Sequence, residues 1–339
     1  MTVMEKIGII GAGSWGIALS KVLCNNGHKV SVWSILEDEI NMLKEKHEHV
    51  TKLPGVILDE SIEFTTNLET VCKENDILVM AVPSVFVRKT ASDMKNYITP
   101  GKIIVNVAKG IEESTMLTLS QVLEEELPMA DIAVMCGPSH AEEVGKEIPT
   151  TIVVGAHKRA VAERLQSAFM NEVFRVYTSP DVLGMEIGSA LKNVVALAAG
   201  IADGLGYGDN TKAALITRGI AEIARLGIAM GGRMETFAGL TGIGDLIVTC
   251  ASMHSRNRRA GILIGQGKTM KEAMDEVKMV VEGVYSAKAA IGLSKKYGIE
   301  LPIIEQVNLI LFEDKSASQA VKELMIRDKK MEIGQDFEA

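Results

Sequence analysis

The chain has 339 residues, of which 47% are hydrophobic and 24% are charged. This composition excludes a largely disordered chain, and the length favours two domains or one large α/β unit. The formal net charge of −8 opposes binding to nucleic-acid phosphates and to anionic bilayers.

Cysteine spacing and hydropathy restrict the setting further. The four cysteines stand far apart, without a Cys-x-x-Cys pair or a histidine spacing suited to a metal, so we expect reduced thiols, a cytoplasmic protein and no metal site. The apolar stretch after Lys6 is too short for a signal peptide. No run reaches the roughly 18 apolar residues of a membrane span, so we expect a soluble chain.

Short β-branched runs alternate with amphipathic stretches in the first half of the chain. Such alternation, with strands apolar on both faces, predicts a parallel doubly wound sheet. The predicted strands are Lys6–Ile10, Lys29–Trp33, Ile77–Val82, Lys102–Val107, Asp131–Cys136, Thr151–Val154 and Phe174–Tyr177.

Beyond about Ser179 the apolar residues recur with a helical period, which predicts an all-α second domain. We therefore expect a Rossmann-type nucleotide-binding domain over 1–180, a helical substrate domain over 181–330 and a flexible tail over 331–339. No Ser/Gly linker separates the two halves, so a cleft between closely packed domains is expected. The predicted helical windows are Leu183–Ala202, Ala213–Met230, Val284–Tyr297, Ile303–Phe312 and Ser318–Arg327.

A glycine motif follows the first predicted strand, reading Gly11-Ala12-Gly13-Ser14-Trp15-Gly16. The strand before it, the helix after it and a second strand about twenty residues on are the context of a dinucleotide site. Gly11 permits the tight turn, Gly13 lets the backbone approach a pyrophosphate, and Gly16 allows close helix–strand packing.

The residues at the end of the second strand do not decide between NAD and NADP. NAD-binding chains typically place Asp or Glu there to bind the ribose hydroxyls, but this chain reads Trp33-Ser34-Ile35. No arginine stands there for a 2′-phosphate either. Both NAD and NADP remain candidates, with a slight preference for NADP.

Ligands of a doubly wound sheet bind at the carboxyl ends of its strands. Lys109 is the only cation directly after a predicted strand, and its flanking Ala108 and Gly110 favour a place over the crevice. Ser139, in the loop after another strand, is expected to cap a helix, a role that is compatible with ligand binding.

The apolar helical window 183–202 contains one lysine, Lys192. Burial disfavours an ammonium, so Lys192 is our candidate acid/base, the alternative being a lysine that reaches solvent from a core helix. Asp245 stands in an apolar, glycine-rich run without a local basic partner and is expected to bind a cation from elsewhere, or to cap the following helix.

Ser255-Arg256-Asn257-Arg258-Arg259 places three guanidinium groups at an expected helix start, which suits a phosphate or carboxylate, a solvated charge run being the alternative. Glu282 is expected at the end of a polar helix and could return to the cleft. We assign no histidine to chemistry: His47 and His49 are expected at the surface, and His140 in a structural role.

With these motifs in this order, the chain resembles the bacterial NAD(P)-dependent glycerol-3-phosphate dehydrogenases over nearly its whole length. The shared motifs are the glycine motif, Ala108-Lys109-Gly110, Gly137-Pro138-Ser139, Leu191-Lys192-Asn193, Gly242-Ile243-Gly244-Asp245-Leu246 and the Ser255–Arg259 cluster. The resemblance implies a cytoplasmic enzyme that interconverts dihydroxyacetone phosphate and sn-glycerol 3-phosphate for phospholipid synthesis.

Carried over by position, the resemblance makes Lys192 the acid/base, with Asp245 orienting it and Lys109 contacting both substrate and cofactor. Further substrate contacts fall on Gly137, Ser139, Ser255, Arg256 and Asn257. Further cofactor contacts fall on Ser14, Trp15, Ala141, Arg256, Val280 and Glu282. Ile35 departs from the basic or polar group that relatives often carry after the second strand, which bears on NADP preference.

Two other functions fit parts of the sequence. A 3-hydroxyacid or 6-phosphogluconate dehydrogenase would share the glycine motif and the helical domain, but not the Ser255–Arg259 cluster with the Lys192/Asp245 pair. A non-catalytic dinucleotide sensor would leave that pair unexplained. The helical domain could carry a homodimer interface, although apolar helix faces also pack within a monomer.

Overall fold

A computed structural model describes residues 4–329, 331 and 332. The expected flexible tail, 331–339, therefore lies almost wholly outside the described residues. Eight strands form one sheet in the order β3-β2-β1-β4-β5-β6-β7-β8. The strands are β1 Lys6–Ile10, β2 Lys29–Trp33, β3 Glu63–Thr65, β4 Ile77–Met80, β5 Ile103–Asn106, β6 Asp131–Cys136, β7 Thr150–Ala156 and β8 Phe174–Ser179.

The sheet confirms the predicted fold class with two differences. All seven predicted strands are present, but β3 was not predicted because three residues carry no readable alternation. The strand β7 runs antiparallel to β6, whereas the other neighbouring pairs are parallel. The strand order reverses between β1 and β4, and ligands of such sheets bind at that switch point.

Helices cover both faces of the sheet, as expected for strands that are buried on both sides. They are α1 Ser14–Asn25, α2 Glu37–Lys46, α3 Leu68–Glu74, α4 Val87–Met94, α5 Leu119–Glu126, α6 Ala141–Gly145 and α7 Arg159–Phe169. Short 3₁₀ turns lie at Ser84–Phe86 and Lys95–Tyr97.

The rest of the described chain is helical. Its elements are α8 Val182–Gly204, α9 Asp209–Ala229, α10 Met234–Phe237, a π-helical turn Leu240–Gly244, α11 Asp245–Ala251, α12 Arg256–Gly265, α13 Met270–Val277, α14 Glu282–Tyr297, α15 Pro302–Phe312 and α16 Ala317–Met325. The helix α8 is long and apolar enough to span a membrane, but 89% of its apolar window is buried inside the protein, as in the core helix of a globular domain.

Glycines on α8 and α12 let these two helices pack closely against each other. A Cβ on Gly200 would stand 2.1 Å from the backbone oxygen of Arg258, and one on Gly261 would stand 2.3 Å from that of Leu197. Side chains at these positions would separate α8 from α12. The small residues therefore place the start of α12, with its basic cluster, beside the helix that carries Lys192.

The structure differs from the expected placement of Glu282, His49 and His47. Glu282 begins α14 instead of ending a polar helix, because α13 already stops at Val277. His49 is buried, with 1% of its surface exposed, because its ring contacts the carboxylate of Glu39 from the start of α2. His47, also expected at the surface, is half-buried and takes a left-handed backbone conformation after α2.

Candidate active site

The glycine motif joins β1 to α1 through a turn that tolerates no side chain at two positions. Gly11 has a φ of +119° and packs against the backbone of Ala81. A Cβ on Gly16 would stand 2.2 Å from the backbone oxygen of Gly11. Both glycines therefore build the turn itself.

Gly13 differs from these two glycines, because a Cβ at this position would meet no atom within 4 Å. It stands at the N-cap of α1, and no side chain caps the first amide groups of that helix, which belong to Ser14, Trp15 and Gly16. Free amides at a helix N-terminus bind phosphate well. The open space and these donors fit the pyrophosphate of a dinucleotide.

We predict that Gly13→Ala folds normally yet binds the dinucleotide at least about tenfold more weakly, because the new methyl group enters the space that the backbone leaves for the pyrophosphate. Isothermal titration with NADH and NADPH and a thermal melt measure the two effects. Gly16→Ala is the contrasting variant and should lower the melting temperature. Unchanged affinity in folded Gly13→Ala would place the dinucleotide elsewhere.

The end of β2 carries a polar cluster in place of the usual acid. The hydroxyl of Ser34 donates to Glu39 Oε2 at 2.8 Å, and Lys52 donates to Glu39 Oε1. These bonds, with that of His49, hold the pKa of Glu39 at about 2 although burial opposes ionisation. Ile35, directly after Ser34, is 76% exposed. The buried Glu39 carboxylate is thus paired with Ser34, His49 and Lys52 near the end of β2.

Three predicted residues meet where the sheet faces the helical elements. Asp245 accepts a hydrogen bond from Lys192 Nζ on Oδ1 and from Lys109 Nζ on Oδ2, each at 2.7 Å. Lys109 also donates to the backbone oxygen of Gly137 at 3.0 Å. One buried carboxylate therefore holds two ammonium groups, one from a strand end and one from α8.

Burial sets the protonation behaviour of this group. It lowers the pKa of Lys192 to about 8, with the charge of Lys109 acting in the same direction and that of Asp245 opposing it. Burial would raise the pKa of Asp245, but the two lysines hold it below its usual value. Asp245 thus stays ionised, while Lys192 can gain or lose a proton near neutrality.

The local sequence explains how Asp245 reaches Lys192. Gly188 lies one turn before Lys192, and a Cβ there would stand 2.8 Å from the backbone oxygen of Thr241 in the π-helical turn. This close approach lets the turn deliver Asp245 as the first residue of α11, and Gly244 occupies the N-cap position. Asp245 therefore pairs with the lysines and does not cap its helix.

Thr249 is a contact that the sequence analysis missed. Lys192 Nζ donates to Thr249 Oγ1 at 2.6 Å, and that hydroxyl donates to the backbone oxygen of Asp245 at 2.6 Å. Thr249 stands four residues after Asp245 on an apolar helix, and this spacing, which places both residues on one helix face, was the sequence signal that could have identified it.

The loop after β6 contributes backbone groups. Gly137 has a φ of +146°, and its oxygen accepts bonds from Lys109 and from the Ser139 hydroxyl, the latter at 2.9 Å. The expectation that Ser139 caps a helix was wrong, because the chain needs one more extended residue and His140 takes the N-cap position of α6. Ala141 is the first residue of that short helix.

In the Ser255–Arg259 cluster, some side chains make structural contacts and others have no bonded partner. Ser255 caps α12 by accepting from the amide of Arg258, and the guanidinium of Arg258 binds Asp203 at 2.7 Å. The Asn257 amide donates to Asn193 Oδ1 and its oxygen accepts from the Gly283 amide, each at 2.9 Å.

Arg256 forms no hydrogen bond or ion pair with the residues that the structure describes. Burial lowers the pKa of its guanidinium, whereas the nearby charges of Glu282 and Glu142 favour the cation. A half-buried guanidinium without a bonded partner favours an anionic ligand. Arg259 likewise has no side-chain hydrogen bond or ion pair among the described residues, and its Nε is buried without a partner, so Arg256 and Arg259 are both free cations of the cluster that a phosphate would meet.

Glu282 links α14 to the end of β4. Its carboxylate accepts from the Ser84 amide at 3.1 Å and from the Ser84 hydroxyl, and burial raises its pKa. Val280 lies two residues earlier and is partly exposed. Among the described residues, no group of three or more His, Cys, Asp or Glu could hold a metal ion.

Two family models match the chain. The model described as the N-terminus of NAD-dependent glycerol-3-phosphate dehydrogenase matches residues 6–162, and that of the C-terminus matches residues 181–322. Glycerol-3-phosphate dehydrogenase [NAD(P)+] of Agathobacter rectalis is 69% identical over 97% of this chain and 98% of its own length. The Bacillus subtilis protein of the same name is 50% identical over 97% and 96%.

Solved structures agree with these matches. The crystal structure of glycerol-3-phosphate dehydrogenase from Coxiella burnetii is 36% identical and superposes with a TM-score of 0.92, covering 96% of this chain and 99% of its own. D-Mandelate dehydrogenase, at 15% identity and a TM-score of 0.64 over 95% of this chain and 100% of its own, shares the fold alone.

Proposed function

Since the chain belongs to the NAD-dependent glycerol-3-phosphate dehydrogenase family, a family of oxidoreductases, we propose that it interconverts dihydroxyacetone phosphate and sn-glycerol 3-phosphate with NAD(H) or NADP(H). The observation that carries the proposal is the buried Lys192–Asp245–Lys109 group, with the unpaired guanidinium of Arg256 on the neighbouring helix start. The buried group can donate a proton to a carbonyl oxygen, and the guanidinium can bind a phosphate.

The reaction in the direction of glycerol 3-phosphate needs a hydride and a proton. A reduced nicotinamide dinucleotide held at the glycine motif would supply the hydride to the carbonyl carbon of the substrate. Lys192 donates a proton from its ammonium to the carbonyl oxygen and becomes a neutral amine, while the Lys109 ammonium stabilises the negative charge that develops on that oxygen. Asp245 orients both lysines. In the oxidative direction the neutral amine of Lys192 accepts the proton.

Other chain groups position the two ligands. Arg256 binds the phosphate together with the backbone amides of Arg256 and Asn257 at the start of α12, because the Ser255 cap occupies only the Arg258 amide. The side chain of Asn257, which donates to Asn193, adds a further donor group there. Binding energy from the phosphate, which does not react, thereby orients the carbonyl. Gly137, Ser139 and Ser255 frame the substrate, while Gly11, Gly13, Ser14, Trp15, Gly16, Ala141, Val280 and Glu282 frame the dinucleotide.

The proposal includes a cytoplasmic location and a use for the product. The four cysteines are unpaired, which is typical of proteins in a reducing cytoplasm, and glycerol 3-phosphate would supply phospholipid synthesis. For the cofactor we keep the slight preference for NADPH, because no acid at the strand end repels a 2′-phosphate directly. A homodimer through the helical elements completes the proposal, and sedimentation analysis would test it.

The phosphate role of Arg256 provides the test. We expect Arg256→Ala to raise the KM for dihydroxyacetone phosphate by roughly 10- to 100-fold, because a charged hydrogen bond contributes about 1.5–3 kcal/mol. Its slow turnover of unphosphorylated dihydroxyacetone should stay at the wild-type level, and this ratio serves as the internal control. Absorbance at 340 nm measures both substrates.

Equal losses with both ketones would contradict a phosphate role for Arg256. A wild-type preference for a 3-hydroxyacid or for 6-phosphogluconate would refute the proposed substrate. A chain that binds the dinucleotide and turns over none of these substrates would be a sensor.

A further inference from the structure

Asn106 closes the turn that carries Lys109. It is the last residue of β5 and has no exposed surface. Its Oδ1 accepts from the Ala108 amide at 3.2 Å, and its Nδ2 donates to the Ala108 oxygen at 3.1 Å. One side chain therefore satisfies both peptide groups of the residue directly before Lys109, which fixes the direction in which the chain leaves the strand.

Glu186 on α8 lies behind Asn106. Its Oε1 accepts from the Ser120 amide at 2.9 Å and makes a long contact of 3.5 Å with Asn106 Nδ2, and its Oε2 accepts from the Ser120 hydroxyl. The carboxylate is buried, which raises its pKa, and it lies at the N-terminus of α5, where the helix dipole favours an anion. Glu186 thus joins α8 to the end of β5.

These contacts complete a ring around the two lysines. On one side, Lys192 and Lys109 share the carboxylate of Asp245. On the other side, α8 reaches the Lys109 turn through Glu186 and Asn106. The ring fixes the separation of the two ammonium groups at both ends, and Coulomb interaction between like charges depends directly on that separation.

We propose that Asn106 is a positioning residue, which holds the Lys109 ammonium in register with Lys192, and that Glu186 orients the Asn106 amide. This inference rests on the proposed function, since it concerns the placement of groups for that reaction. Neither residue contacts the reacting atoms. Asn106 acts through Lys109, and Glu186 acts through Asn106.

A pH profile distinguishes positioning from mere structural support. The groups that act on the pKa of Lys192 include Asp245, Lys109 and Cys250, and the lysine in turn acts on His140. Among them the charge of Lys109 lowers the pKa of Lys192. If Lys109 withdraws, the pKa of Lys192 must rise. Oxidation of glycerol 3-phosphate needs the neutral amine of Lys192. A higher pKa of Lys192 must therefore move the acidic limb of the pH–rate profile for oxidation to higher pH.

The experiment compares the wild type with Asn106→Ala and Asn106→Ser, whose side chain is too short to reach both peptide groups of Ala108. We expect kcat to fall about tenfold and the acidic limb of the pH–rate profile to rise by roughly half a pH unit or more. Either variant suffices if the other does not fold.

Asn171→Ala is the matched control. The Asn171 side chain likewise holds a turn, accepting from the amides of Val173 and Phe174 at 3.0 and 2.7 Å, but it contacts no residue of the site. Its kcat and pH profile should equal those of the wild type. A folded Asn106 variant with wild-type kcat and an unmoved limb would overturn the positioning role. An inactive wild type would instead refute the proposed function.

Discussion

Lys192→Ala should lower kcat for the reduction of dihydroxyacetone phosphate by about 10³- to 10⁴-fold, at the upper end of what general acid–base catalysis contributes. Lys192 is 5% exposed, bonded to Asp245 and Thr249, and has a pKa of about 8. No water can easily replace a proton donor at such a buried position. Absorbance at 340 nm under saturating substrate measures the loss.

The matched control is Lys102→Ala. Lys102 is also buried, but it stands before the start of β5, at the opposite end of that strand from Lys109, and donates to the backbone oxygen of Lys73 at 3.2 Å. We expect this variant to lose stability and keep kcat. If Lys192→Ala retained more than about a tenth of the wild-type kcat, another group would have to supply the proton.

Asp245→Asn should combine a catalytic loss with a loss of stability. The amide keeps the shape of the carboxylate but leaves two ammonium groups without a counter-charge, so we expect unfolding to become easier by about 3 kcal/mol. Because the charge of Asp245 raises the pKa of Lys192, its removal should lower that pKa below 8. At pH 7.5 the proton donor is then depleted, and kcat for reduction should fall by roughly 10²-fold or more.

Asp203→Asn tests whether such a loss is specific to the site. Asp203 also bridges two cations, Arg258 at 2.7 Å and Lys212 at 2.9 Å, about three helical turns beyond Lys192 on α8. Thermal melts and kcat should show a comparable stability loss with a much smaller loss of activity. If the two variants lost activity equally, Asp245 would have no special role in the chemistry.

The sequence predicts those parts of the site that depend on local geometry. The glycine motif identifies its turn because Gly11 and Gly16 each meet backbone atoms within a few residues of a strand end. Lys192 and Asp245 were predicted as partners because a lone charge in an apolar segment must find an opposite charge elsewhere. Lys109 was predicted because it follows a strand.

The remaining features depend on tertiary contacts that no local pattern encodes. Three arginines look equivalent in the sequence, yet Arg258 is bound by Asp203 from α8, whereas the side chains of Arg256 and Arg259 have no bonded partner among the described residues. Asn257 holds α12 to α8 and α14 through Asn193 and Gly283, contacts that only the packed helices create. Glu282 was misplaced because the boundary between α13 and α14 lies in a short segment without a glycine or proline.

The most direct test of the account is the reaction of the purified wild-type protein with dihydroxyacetone phosphate and either NADPH or NADH, with the product identified by phosphorus NMR. We predict loss of absorbance at 340 nm, formation of glycerol 3-phosphate, and little turnover of unphosphorylated dihydroxyacetone. Intact dinucleotide binding without any glycerol 3-phosphate would contradict it, because the Lys192–Asp245–Lys109 group would then serve another reaction.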